Sequence, residues 1–260
     1  FFFKQKTAYE ITYGDWSSDV CSSDLNQFDA SFMHHLINPG LLMTRNGPAP
    51  SARRLWDISA PVDANSPVFP GDTPFQQVWS WTLGPTCPVN VSAVTLSPHV
   101  GAHADAPLHY ASDGAAIGAV DLDAYLGVCR VIHALHPGPL VRWDAVAHAC
   151  DQLPPRVLVR TAHAAAVDRW DPDFSALDPQ LLHRLADLGV RLVGIDTASV
   201  DPAQSKSLDS HQVLRERNLR VLENLVLDDV PEGDYELIAL PLRWMHCDAS
   251  PVRAVLRELP

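Results

Sequence analysis

One eleven-residue stretch, HVGAHADAPLH, limits what this chain can fold into more than any other part of it. It places His99, His103, Asp105 and His109 close together, separated by small or apolar residues and one proline. On a helix, His99 and His103 would share a face, but Gly101 weakens a helix and Pro107 opposes one running across it. Asp105 would also point away from that face at 100° per residue. On one extended strand all four side chains would project from the same side, yet ten residues at about 3.3 Å each span roughly 33 Å. That is too far for a single centre. The remaining geometry is a strand end that bends at Gly101 and again at Ala106-Pro107, with small residues at 101, 102, 104 and 106 allowing the backbone to approach closely. Histidines and a carboxylate without cysteine suit Zn²⁺ or Mn²⁺ in a hydrolytic site. Chance placement of unrelated surface or core histidines is the competing reading, weakened by the cost of crowding such groups without a shared partner.

A second stretch points the same way. In RVLENLVL, strand alternation sets Glu223 on the face of Val221 and Leu225. A carboxylate there is costly unless it is paired or binds a metal; an edge strand with Glu223 in water is the alternative. His211, in LDSHQVL, opens a helix candidate and would be unremarkable by itself.

From RLWDIS onward, strand-like and helix-like stretches alternate. LWDIS, VWSWTL and VSAVTLS are rich in β-branched and aromatic residues. CRVIHAL, RVLVRT, RLVGIDT, RVLENLVL and ELIALPLR are short apolar runs suited to interior strands. Helices are expected over DPQLLHRLADLG, WDAVAHACDQL and LDSHQVLRERN. In the first, Asp178 can cap, Pro179 suits the first helical position and Gly189 the exit. The organisation is a single α/β domain over residues 51–260. Residues 1–50 are expected to be a non-native or disordered extension, residues 1–25 resembling translated adapter sequence.

With 47% apolar and 19% charged residues among 260, the chain can bury a substantial core. Its net charge of −12 argues against a nucleic-acid partner, and no uncharged run reaches the roughly 18 residues of a membrane helix. Five widely spaced cysteines without a C-x-x-C pair read as reduced thiols in a cytoplasm. The G-x-S-x-G of a serine hydrolase is absent.

HVGAHADAPLH resembles the H-x-G-x-H-x-D-x-P-x-H signature of the cyclase-type metal-dependent hydrolases. Further segments, among them VFPGDTPFQQ, GAVDLDAYLG, VRLVGIDTASVDP, SKSLDSH and DASPVRA, are similar to the bacterial kynurenine formamidase (arylformamidase) branch. The resemblance implies an α/β fold of swivelling β/β/α type with a mixed sheet, a homodimer and two Zn²⁺ per subunit, with Mn²⁺ as an alternative. It implies that His99 and His103 hold one metal, that His211 binds the second, and that Asp105 and Glu223 bridge them. His109 would be the proton donor and acceptor, and Trp56 would contact the substrate. That substrate would be N-formyl-L-kynurenine. A relative that opens a cyclic amide such as isatin is the alternative enzyme, and a non-catalytic metal carrier the alternative of another class. Val100 stands where the signature commonly has Thr, and Ala198 where Pro is usual.

Overall fold

The computed structural model describes residues 53–260; the expected extension over residues 1–50 lies outside them. The chain enters through β1 (Leu55–Asp57), then β2 (Gln76–Trp81) and β3 (Val91–Thr95), which among the described residues pair only with each other. Next come β4 (His103–Asp105), α1 (Pro107–Tyr110), β5 (Leu126–His133), β6 (Leu140–Val141), α2 (Trp143–Val146), β7 (Arg156–Arg160) and β8 (Ala176–Leu177). After these follow α3 (Pro179–Asp187), β9 (Leu192–Ile195), α4 (Asp209–Arg217), β10 (Arg220–Glu223), β11 (Gly233–Ile238), β12 (Ala249–Pro251) and β13 (Val255–Glu258).

Nine strands form one mixed sheet in the order β1-β13-β11-β5-β7-β9-β10-β4-β12. Strands β5, β7, β9 and β10 are parallel to their neighbours in that run, and antiparallel strands flank them. The parallel strands are the short apolar runs of the sequence, and RVLVR and LVGI are buried throughout, as strands covered on both faces must be. Only residues 252–254 separate β12 from β13, although β12 closes one end of the sheet order and β13 is second from the other. A flat sheet could not satisfy that connection, so the sheet curls. A bridge between Ser59 and Leu225 ties the segment after β1 to the segment after β10.

Alternation along the strands divides the core into two. Leu158, Leu192, Leu222, Leu237 and Leu256 fill the inside of the curl. Val157, Val159, Val193, Ile195 and Val221 face outward and pack under Leu181, Leu182 and Leu185 of α3 and Val213 and Leu214 of α4. Glycine at 194 makes room for the buried Leu158 side chain, which would lie 2.5 Å from a Cβ there and have to shift. Helix α3 begins as its sequence predicts: the Asp178 carboxylate accepts the Gln180 N–H at 2.8 Å, Pro179 follows, and Gly189 takes a positive φ of 90° beyond the end.

The α/β reading with a mixed sheet is met. The alternation assumed after Glu223 is not. Asn224 adopts φ 56°, which ends β10 and turns Leu225 into the inner core while Val221 and Glu223 keep to the outer face. Helices end sooner than their patterns suggest over WDAVAHACDQL, where α2 gives way to a 3₁₀ turn at Ala147–Ala149.

Candidate metal centre

The histidine-rich stretch bends at both expected places. Gly101 sits at φ +67°, where a Cβ would meet Val62 at 2.7 Å, and Pro107 opens the single turn of α1 that carries His109. Between the bends, β4 runs antiparallel to β10, pairing His103 with Glu223 and Asp105 with Val221. Period-two alternation then sends Ala102, Ala104 and Ala106 into the inner core and turns His103 and Asp105 toward α4. That helix delivers His211, whose Nε2 meets Asp105 Oδ2 at 3.3 Å.

The result is a compact group. His103 Nε2 lies 3.3 Å from both Asp105 Oδ1 and Glu223 Oε2, and His99 Nδ1 lies 3.1 Å from Asp105 Oδ1. His211 Nε2 is 3.8 Å from Glu223 Oε1. Five of the six side chains expected at a metal centre therefore converge through direct contacts. The sixth, His109, has a donor atom within 4.8 Å of those of Asp105 and His211. His103, Asp105, His211 and Glu223 are buried, whereas the His109 side chain keeps 31% of its surface open to solvent.

Each cluster imidazole is oriented from behind by an oxygen. His103 Nδ1 meets the Gly101 carbonyl at 2.9 Å, leaving Nε2 for the centre. His211 Nδ1 meets Asp201 Oδ2 at 2.7 Å. Asp201 also accepts the Ser210 and His211 backbone N–H groups, both at 2.9 Å, capping an α4 whose own N-cap residue, Leu208, offers no side-chain acceptor. Outer acceptors of this kind fix tautomer and ring orientation in metal-ligating histidines.

The electrostatics favour positive charge. Burial pulls the His103 imidazole down, but the carboxylates of Asp105 and Glu223 outweigh it and raise its pKa to about 10. His211 is likewise lowered by burial and raised on balance to about 10 by Asp105 and Asp201. His99 reaches about 9 against the same burial, through Asp105 and Asp248. Burial would raise Asp105, yet the three surrounding imidazoles hold it well below the usual carboxylate range.

These residues fit a divalent cation. Although His103 Nε2 and Asp105 Oδ1 are in close ionic contact, neither makes a hydrogen bond among the described residues. Buried polar atoms normally find such partners. Atoms that approach one another but aim at a common point are what ligands around an ion require, and the nitrogen and oxygen donor set suits Zn²⁺ or Mn²⁺.

A family profile described as "Putative cyclase" matches residues 56–202. A kynurenine formamidase from Delftia acidovorans is 70% identical over 207 residues, covering 80% of this chain and 99% of that protein. The chain belongs to the cyclase family, on its kynurenine formamidase branch. A solved structure described as a potential metal-dependent hydrolase with cyclase activity superimposes on this cyclase-family chain with a TM-score of 0.70 at 27% identity, covering 80% of this chain and all of that one. Isatin hydrolase A from Labrenzia aggregata shares the fold, with a TM-score of 0.66 at 20% identity over 80% of this chain and 94% of its own.

Trp56 is placed differently from the other expected residues. Its ring packs edge-on against Tyr235 at 5.1 Å, lies under the Arg54 guanidinium at 4.4 Å and, half-buried, packs against the inner core. Its ring contacts are with these residues and not with the cluster histidines. Two carboxylates absent from the sequence reading, Asp201 and Asp248, stand directly behind cluster histidines. Asp248 is 149 residues from His99 and opens the DASPVRA segment, where nothing local gives it a role at the cluster. His133, His148 and His183 make ordinary contacts elsewhere, and Lys206 and His246 are exposed. Among the described residues, Cys87, Cys129, Cys150 and Cys247 are free, and no helix is long and apolar enough to cross a membrane.

Proposed function

We propose that this chain hydrolyses N-formyl-L-kynurenine to L-kynurenine and formate, using two Zn²⁺ ions per subunit, with Mn²⁺ as the alternative. The observation that carries the reading is the 70% identity across 99% of a kynurenine formamidase. The convergence of the expected ligands on one buried point supports it. His99 and His103 would hold one ion and His211 the other, with Asp105 and Glu223 between them. Bound there, the ions would supply a water acidified toward neutral pH and positive charge for the developing oxyanion.

The remaining work falls to His109. Placed at the open rim, it takes a proton from the attacking water as the water oxygen bonds to the formyl carbon. It then returns that proton to the nitrogen as the C–N bond breaks, and the amine and formate leave. An imidazole suits both transfers near neutral pH. This scheme assigns no step to Trp56, whose ring packs on Tyr235 and under Arg54.

The quaternary reading is a homodimer. The β2–β3 hairpin is exposed on both faces and carries Val78, Trp79 and Trp81 at 51–62% exposure. A lone two-stranded hairpin is marginal in water, and exposed apolar patches commonly mark interaction sites. Light scattering is expected to give twice the chain mass, and replacing Trp79 and Trp81 by Ser is expected to lower it.

The deciding assay offers N-formyl-L-kynurenine and isatin side by side, before and after chelation. Turnover of the formamide that disappears with the metal is the expected result. Turnover of isatin alone would move the chain to the cyclic-amide hydrolases, and binding of zinc without hydrolysis of any formanilide or ester would make it a carrier.

A further inference from the structure

The outward nitrogens of His103 and His211 each have their own acceptor, but those of His99 and His109 share one. Asp248 Oδ2 lies 3.0 Å from His99 Nε2 and 3.1 Å from His109 Nδ1. The two rings stand 4.4 Å apart, tilted at 47°. Asp248 is itself held to the ligand-bearing strand: its carbonyl accepts the Ala106 N–H at 2.8 Å, and Ala249, the next residue, pairs with Asp105. The oxygen is therefore fixed relative to β4, and both imidazoles are fixed relative to the oxygen.

An ionised carboxylate only accepts hydrogen bonds, so both nitrogens facing Asp248 must carry protons. For His99 this leaves Nδ1, the atom 3.1 Å from Asp105 Oδ1, with its lone pair toward the centre. For His109 it leaves Nε2 free to accept a proton. The opposite tautomer would place the lone pair against a carboxylate and the N–H where the base is needed.

We infer that Asp248 is a positioning residue that locks His109 in its Nδ1–H tautomer and orients His99 with the same oxygen. The inference rests on the proposed role of His109 as acid and base. Asparagine at this position replaces the charged oxygen by a neutral amide oxygen, a weaker acceptor for the two N–H groups, and its NH₂ can turn toward the imidazoles and favour the opposite tautomer.

The test uses zinc-loaded wild type, Asp248→Asn and Asp248→Glu. In wild type, two-bond ¹H–¹⁵N spectra are expected to show His109 as the Nδ1–H form, and in Asp248→Asn as a mixture or the other tautomer. At saturating zinc, Asp248→Asn is expected to lose kcat toward N-formylkynurenine by about 10²–10⁴-fold, the range of a general acid–base contribution, with KM little changed and zinc affinity weakened by no more than the about 10–100-fold of a lost outer partner. Phenyl formate, whose leaving group needs no proton, is expected to lose markedly less, and Asp248→Glu to recover part of the loss. Unaltered His109 tautomers in Asp248→Asn, or loss of zinc in step with activity, would overturn the inference; the second result would make Asp248 a metal-side residue. If wild type binds zinc but does not cleave the formamide, the functional reading fails, while the ¹⁵N spectra still judge what Asp248 does to His109.

Discussion

His103 and Glu223 face each other across β4 and β10 as register partners, and their side chains meet at 3.3 Å on the face that α4 covers. Glu223 Oε1 meanwhile accepts the Val200 N–H at 2.8 Å, which holds the carboxylate in place. Glu223→Gln keeps a side chain of the same shape and removes the charge. We expect metal affinity to fall by about 10–100-fold or more, the scale seen when even outer partners of a metal site are lost. Activity should fall with it and return in excess metal. Chelator competition measures the first effect and metal titration of the assay the second.

His109 contacts the cluster from its open side and is held by Asp248. His109→Ala should lower kcat by about 10²–10⁴-fold while the metal content stays at its wild-type value. Metal analysis of the purified variant is the check. A proportional drop in bound metal would make His109 a ligand.

The cluster imidazoles predict a pH dependence that metal should reverse. In metal-free protein, His99, His103 and His211 have pKa values raised to about 9, 10 and 10. A group raised on folding stabilises the native state fully below its unfolded value, about 6.5, and that stability is lost as pH climbs through the folded value. Chelated protein should therefore lose thermal stability between about pH 7 and 10. Metal binding displaces those protons, so affinity should rise over the same interval. Thermal melts of chelated and zinc-loaded samples across the range test both signs.

Trp56 packs half-buried against the inner core, with its Nε1 buried and without a hydrogen-bond partner among the described residues. Trp56→Phe keeps most of the packing and removes that donor. Its melting temperature should stay within a few degrees of wild type, because deleting an unpaired buried donor forfeits no hydrogen bond, and KM should be unchanged. A large rise in KM at unchanged stability would restore Trp56 to the substrate site.

Several features were legible because they depend on local chemistry. The Asp178-Pro179 helix start, the apolar runs of β7 and β9, and the two bends in HVGAHADAPLH all follow from backbone preference and side-chain period. Glu223 could be singled out because a carboxylate in an apolar run needs an explanation. Asp201 and Asp248 could not, since an aspartate before a proline or beside a cysteine is ordinary until the fold supplies its neighbour. The exposure of the β2–β3 hairpin was not legible for the same reason: apolar alternation says which residues share a face, not what covers it.

By itself, the amino-acid order determined that candidate cation ligands gather in one stretch, because three histidines and an aspartate set among small residues have few alternatives, and it determined which segments become strands. Only the tertiary structure decided the assembly. Closing the curled sheet brings β12 against β4 and so seats Asp248 behind His99 and His109, while packing α4 on the outer face carries His211 to Asp105. Those contacts join residues more than a hundred positions apart, and no local preference encodes them; they follow from how the sheet must bend to bury its inner leucines.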